Sequence, residues 1–249
     1  MVAMTELSDR VVLLTGASGG IGAALGRRLV AAGARVAFGY SGHPDTAQRL
    51  AAEATEAGLP AVALGGDLAD PATPARLVAQ ASAALGPVEV LIANAGYAVR
   101  QAYPEVDLPA WERTMAINLR APFLLAQQVL PGMVERGFGR LLFTSSVAGF
   151  TGGVIGPHYA ASKAGLNGLV HFLAARVAAH AVTVNAIAPA LIEQTGMLPV
   201  APGGGAPATP IPVGRYGRPE EVADLSMAIL GNGYLTNQIV GLDGGIYPH

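Results

Sequence analysis

Short apolar runs recur along this chain, each followed by a segment of helical spacing and then by a polar or glycine-rich break. Val11-Val12-Leu13-Leu14 is the first run, of the buried-strand type, and a helical pattern from Ala23 to Ala32 follows its glycine turn. The spacing predicts further strands over 35–39, 61–64, 88–93, 141–144, 182–187 and 238–242. Between them it predicts helices over 45–57 and 73–85, one through Trp111, Met115 and Leu125, one carrying Tyr159 to about residue 179, and one opening at Pro219. Pro189 is expected to stop the sixth strand. Strands and helices that alternate in this way build βαβ crossovers and a parallel sheet, here as one domain over 1–249. One segment lacks periodicity: the Gly/Pro-rich stretch over 198–212 reads as part of a mobile loop, about 194–214, over a site. One helical residue is a mild misfit, Asn118, whose own spacing suggests only a solvated or backbone-bonded side chain.

Composition sharpens the expectation of burial. Hydrophobic residues make up 51% and charged residues 13% of 249 positions, below the usual quarter. Such a chain covers both faces of its sheet and leaves surface for subunit contacts. A net charge of −2 offers no case for nucleic acid or an acidic membrane. No cysteine is present, so there is neither a disulfide framework nor a thiolate metal site. The first ten residues lack a signal-peptide core, and the most apolar stretch, Leu169 to Ile192, is broken by His171, Arg176, His180 and Asn185. A soluble cytoplasmic protein is expected.

Two constellations carry chemistry. After the first strand comes Thr15-Gly16-Ala17-Ser18-Gly19-Gly20-Ile21-Gly22, leading into a helix. Gly16 permits a tight turn, Gly20 and Gly22 allow close backbone approach, and the helix start then offers bare amides to a pyrophosphate. The second strand ends in Tyr40-Ser41, without the acid that would clasp a ribose 2′-hydroxyl; the next acid is Asp45. The other constellation is Ser146 with Tyr159 and Lys163. The last two stand one helical turn apart, so an ammonium would favour the phenolate and bring the tyrosine within reach of acid–base work. Ser146 follows an apolar run and should sit at a strand's carboxyl end, where open α/β sheets hold their ligands.

Together, Thr15-Gly16-x-x-x-Gly20-Ile21-Gly22, Asp67, Asn94-Ala95-Gly96, Asn118, Ser146, Tyr159-x-x-x-Lys163 and Pro189 resemble the short-chain dehydrogenase/reductase family over essentially the whole chain. Within it the chain is most similar to the 3-oxoacyl-(acyl-carrier-protein) reductases and their relatives. The resemblance implies a Rossmann-type, doubly wound, seven-stranded and mostly parallel sheet with helices on both faces, assembled as a homotetramer. It implies that Tyr159 exchanges the proton on the substrate oxygen and that Lys163 assists it and holds the nicotinamide ribose. Ser146 would bond the substrate carbonyl, and Asn118 would anchor a water relay to Lys163. Cofactor contacts would come from Gly16, Ser18, Gly19, Gly20, Ile21, Gly22, Tyr40, Ser41, Asp67, Leu68, Asn94, Ala95, Gly96, Tyr159, Lys163, Pro189 and Ile192. No metal is implied.

Departures from the family pattern refine these expectations. Pro189-Ala190 replaces the more frequent Pro-Gly, and Glu193-Gln194-Thr195 runs one residue out of step, so either Gln194 or Thr195 could face the diphosphate. The missing acid at strand two, with Ser41 able to donate to a 2′-phosphate, favours NADP(H), with NAD(H) as the alternative; Gly19 lacks the cation of many NADP-preferring relatives. Where carrier-linked members place docking arginines, this chain has Gly137 (beside Arg136) and His180. The expected substrate is therefore a free small-molecule carbonyl or secondary alcohol, with an acyl-carrier thioester disfavoured. A non-catalytic dinucleotide-binding protein is the remaining alternative, and retention of all four catalytic positions speaks against it.

Overall fold

The computed structural model describes residues 7–198 and 210–247. Seven parallel strands form one sheet in the order β3-β2-β1-β4-β5-β6-β7. They are β1 Val11–Thr15, β2 Arg35–Tyr40, β3 Ala61–Gly65, β4 Val90–Ala93, β5 Gly139–Thr144, β6 Val182–Pro189 and β7 Ile239–Leu242. The helices are α1 Gly20–Ala31, α2 Asp45–Glu56, α3 Thr73–Leu85, α4 Leu108–Met115, α5 Ala121–Arg136, the single turn α6 Ala148–Thr151, α7 Pro157–Val177 and α8 Pro219–Leu230.

Strand periodicity sorts the core into two layers. Val11, Leu13, Leu91, Leu141 and Phe143 point to one face, where α3, α5 and α7 cover them with Leu77, Leu125, Val129, Leu166 and Val170. Val12, Leu14, Val36, Phe38, Ile92 and Leu142 point to the other, against Leu25 and Leu29 of α1, Leu50 of α2 and Val222 of α8. Alternate residues of one strand thus bury in opposite layers, the physical content of the near-continuous apolar runs. The order reverses between β1 and β4, so the loops after these strands diverge and leave a crevice at their carboxyl ends.

Several boundaries differ from the sequence expectation. The first helix begins at Gly20, not Ala23, because the glycines themselves form its opening turn. The fourth strand begins at Val90: Val88 is buried but precedes the paired residues. The sixth strand runs through Pro189, whose missing N–H costs nothing at the strand's end. The Asn118 helix is two α-helices joined by a π-turn over Ala116–Arg120. Of the Gly/Pro-rich loop, residues 199–209 lie outside the described residues. Among the described residues no helix is long and apolar enough to cross a membrane, and no cluster of His, Asp or Glu could hold a metal ion.

Candidate active site

The glycine turn leads directly from β1 into α1. Gly16 adopts φ +68°, and a Cβ there would lie 2.8 Å from the Cα of Ala95. A Cβ on Gly22 would meet the Gly16 carbonyl at 2.1 Å, so helix and turn touch backbone to backbone. Gly19 caps α1 with no side-chain acceptor, and the first turn holds no acid. The helix therefore presents uncapped amides at the crevice, the donor set a pyrophosphate requires. The Ser18 hydroxyl donates to the His43 carbonyl at 2.6 Å, tying this turn to the loop after β2.

Across the crevice, Asn94 at the end of β4 locks the turn. Its Nδ2 donates to the carbonyls of Thr15 and Gly16 at 3.2 and 3.3 Å, and its Oδ1 accepts from the Thr144 hydroxyl at 3.2 Å. The Thr144 carbonyl in turn accepts from Lys163 Nζ at 2.7 Å. One chain of hydrogen bonds thus runs from the glycine turn through β4 and β5 to the ammonium on α7. Thr144 is a residue the sequence reading did not single out, because its role depends on neighbouring strands far apart in sequence.

Around Lys163 the other candidates converge. Tyr159 is 6% exposed, Lys163 2% and Asn118 1%. The single Ser146 hydroxyl proton faces two acceptors, the Tyr159 oxygen and, at 3.4 Å, the Pro189 carbonyl. Asn118 Oδ1 accepts from the Tyr97 amide at 2.8 Å, while its Nδ2 donates to the Tyr97 carbonyl and to the Ser162 hydroxyl at 2.9 and 3.1 Å. Both side-chain functions are therefore committed, which explains why a π-turn here holds a buried asparagine. Gly96 separates this group from the ammonium: a Cβ there would lie 3.8 Å from both Asn118 Oδ1 and Lys163 Nζ.

The electrostatics correct one expectation. Lys163 was expected to lower the Tyr159 pKa; instead burial raises it, and the Ser146 hydrogen bond opposes that rise. The physical reason lies in the lysine. Nζ is turned to the Thr144 carbonyl, and it sits 5.6 Å from the tyrosine ring centroid rather than on the hydroxyl. Burial lowers the Lys163 pKa from 10.5 to about 8.

The remaining candidates divide. Tyr40 folds over β3, its ring atoms 3.1–3.2 Å from where a Gly65 Cβ would stand, and Ser41 beside it is exposed. Asp67 accepts from the Ala69 amide at 2.9 Å and pairs with Arg113 at 3.3 Å, with half its carboxylate open. Ile21 is half-buried at the start of α1. Leu68 and Ile192 bury their side chains in the two core layers, so contact from them to a cofactor would run through backbone. Of the two alternatives after β6, Thr195 spends its hydroxyl on the Ile192 carbonyl at 3.0 Å. Gln194, at φ +56°, brings its carbonyl to 2.2 Å from where a Gly20 Cβ would lie.

Comparison with known proteins agrees with this geometry. A family model described as short chain dehydrogenase matches residues 10–201. An acetoacetyl-CoA reductase of Rhizobium meliloti is 36% identical, with 96% of this chain and 99% of that protein covered. A cis-4-hydroxycyclohexanecarboxylate dehydrogenase of Sinomonas cyclohexanicum is 35% identical, with 96% of each covered. Among solved structures, a blue fluorescent protein from a metagenomic library in complex with NADPH superposes with TM-score 0.89 at 36% identity, covering 97% of this chain and 99% of that one. The chain belongs to the short-chain dehydrogenase family and is an NAD(P)-dependent oxidoreductase.

Proposed function

We propose that the chain reduces a free small-molecule ketone, or oxidises the matching secondary alcohol, with NADP(H) in preference to NAD(H). The observation that carries this reading is the convergence of the Tyr159 hydroxyl, Ser146 and Lys163 at the carboxyl ends of β5 and β6, opposite the uncapped glycine turn. The turn fits a dinucleotide: Gly16, Gly20 and Gly22 pack too closely against neighbouring backbone to carry a Cβ, and α1 opens with no side-chain cap and no acid, leaving its first amides for a pyrophosphate. Gly16 to Gly22, Asn94 to Gly96, Asp67 and the Pro189 loop would hold the cofactor, which supplies the hydride when bound. Tyr159 is the proton donor in reduction and acceptor in oxidation. Burial keeps its phenol protonated, which suits donation to a developing alkoxide. Ser146 shares the substrate oxygen, fixing the carbonyl before transfer. Lys163 brings positive charge beside the phenol, and Asn118 holds the Tyr97 loop and Ser162 so that a water reaching Lys163 past the bare Gly96 can return the proton.

Preference for NADP(H) is supported by the end of β2, where no carboxylate opposes a 2′-phosphate and Ser41 is exposed, and by the NADPH held in the similar metagenomic protein. A free substrate is supported by the docking positions. Gly137 is the left-handed cap of α5, and Arg136 donates to the Val88 carbonyl at 3.0 Å, holding the helix end to the start of β4. His180 lies in the turn after α7, about 30 Å along the helix from Tyr159. Both therefore stand at the opposite edge of the sheet from Ser146 in the same chain. Four copies assembled in the cytoplasm complete the proposal; half-exposed Phe123 and Phe172 on α5 and α7 offer apolar surface for it. The test follows oxidation of NADPH with a panel of ketones and with an acetoacetyl group carried either on a small thiol or on acyl-carrier protein. Turnover of free ketones is expected. A hundredfold advantage for the carrier-bound group, lost on adding salt, would overturn the free-substrate reading.

A further inference from the structure

The loop after β6 brings one sulfur onto the candidate catalytic tyrosine. A turn closed by the paired backbone of Thr195 and Leu198 projects Met197 across the crevice. The Tyr159 hydroxyl donates to Met197 Sδ at 3.7 Å, and the methionine methyl approaches Gly96, 3.3 Å from where a Cβ would lie. Met197 is 42% exposed. Among the described residues it is the exposed methionine: Met133 is fully buried, and Met115 and Met227 are half-buried. The chain has no cysteine, so no thiol competes for an oxidant.

We propose that Met197 is a site of reversible oxidation that switches the enzyme off in the presence of peroxide. The inference rests on the proton-transfer role assigned above to Tyr159. The step is an oxygen transfer. The sulfur lone pair attacks one oxygen of hydrogen peroxide, the O–O bond breaks, an S–O bond forms, and the second oxygen takes the hydrogen of the first and leaves as water. The thioether loses an electron pair and peroxide gains it. A thioether is a weak acceptor that the phenol abandons readily for a substrate oxygen. A sulfoxide oxygen is polar and strongly accepting, so at the same position it holds the Tyr159 proton and turns the apolar wall over Gly96 into a polar one. Methionine sulfoxide reductases reverse the change, one enzyme for each epimer.

The experiment compares the full-length wild type with Met197→Leu, each exposed to hydrogen peroxide and then freed of it. Turnover is expressed as a fraction of each protein's own untreated value, and oxygen uptake is measured methionine by methionine from peptide masses. The wild type should lose activity about a hundredfold at full oxidation, on the scale of a blocked proton transfer, in step with oxygen added at Met197. The leucine variant should keep most of its activity, and treatment with both sulfoxide reductases should restore the wild type. A second readout needs no turnover: the ultraviolet titration of the Tyr159 phenol, taken as the difference from Tyr159→Phe, should move to higher pH on oxidation. The inference fails if the leucine variant is inactivated in parallel, if the loss follows Met115 or Met227, or if Met197 takes up oxygen with turnover and titration unchanged. Absence of turnover before peroxide would count against the proposed function alone, because the titration still decides this one.

Discussion

Replacing Lys163 by methionine should reveal how much stability the fold gives up to bury an ammonium beside Tyr159. In the folded chain that group titrates at about 8 rather than 10.5, and it is almost wholly enclosed. Between these two values the unfolded chain holds a proton that the folded chain has released. Unfolding then takes up a proton, and wild-type stability rises with pH across the window from about 8 to 10.5. Below pH 8 both states are protonated and the full cost is present. Summing the two titrations from pH 7 to pH 10 gives a wild-type gain of about 2–3 kcal/mol. A thioether at this position has nothing to titrate, so the Lys163→Met variant lacks this gain whatever it loses at the Thr144 carbonyl. Urea unfolding of both proteins at pH 7 and pH 10, at one protein concentration, measures the difference of differences. The wild type should gain about 2–3 kcal/mol relative to the variant, or roughly 5–10 °C in Tm for a chain of this size. Parallel stability curves across that range would refute the reasoning and show that the ammonium is solvated in the folded state.

Other expectations follow from single contacts. Gly20→Ala places a Cβ 2.2 Å from the Gln194 carbonyl, so either α1 or the loop base must shift; NADPH affinity measured by fluorescence titration should fall at least about tenfold. Tyr40→Asp restores an acid at the end of β2, and the ratio of kcat/KM for NADP(H) to that for NAD(H) should drop about tenfold or more. Asn118→Ala strips the Tyr97 backbone and Ser162 of their buried partner, and urea unfolding should register a loss of about 1–3 kcal/mol.

The layered sheet was legible in the sequence because each strand announces itself by a local apolar run and each crossover by helical spacing. The glycine turn was equally legible, since Gly22 meets the Gly16 carbonyl and Gly16 takes a left-handed φ of +68°, both demands set within the turn. What escaped depends on contacts between distant segments. Asn118 is a propensity fault by its own spacing and gains a role in the sequence only through the family resemblance; its partners, Tyr97 at 21 residues' distance and Ser162, are visible only in the fold. Thr144 carries the lysine through its carbonyl, which has no residue signature at all. The pKa of Tyr159 was misjudged because helical spacing brings a charge near, while the strand edge decides where that charge points. Met197 has no local pattern, and its place over Tyr159 is set by the turn that Thr195 and Leu198 close.

The central claim is that the buried Tyr159 hydroxyl exchanges the proton on the substrate oxygen. Tyr159→Phe keeps the ring in its packing and removes that hydroxyl alone, so the measurement is kcat for carbonyl reduction together with the Kd of NADPH. The account expects kcat to fall by about 10² or more, the level of a lost general acid, with Kd within roughly twofold of wild type. A phenylalanine variant that retained more than about a tenth of wild-type turnover would contradict it.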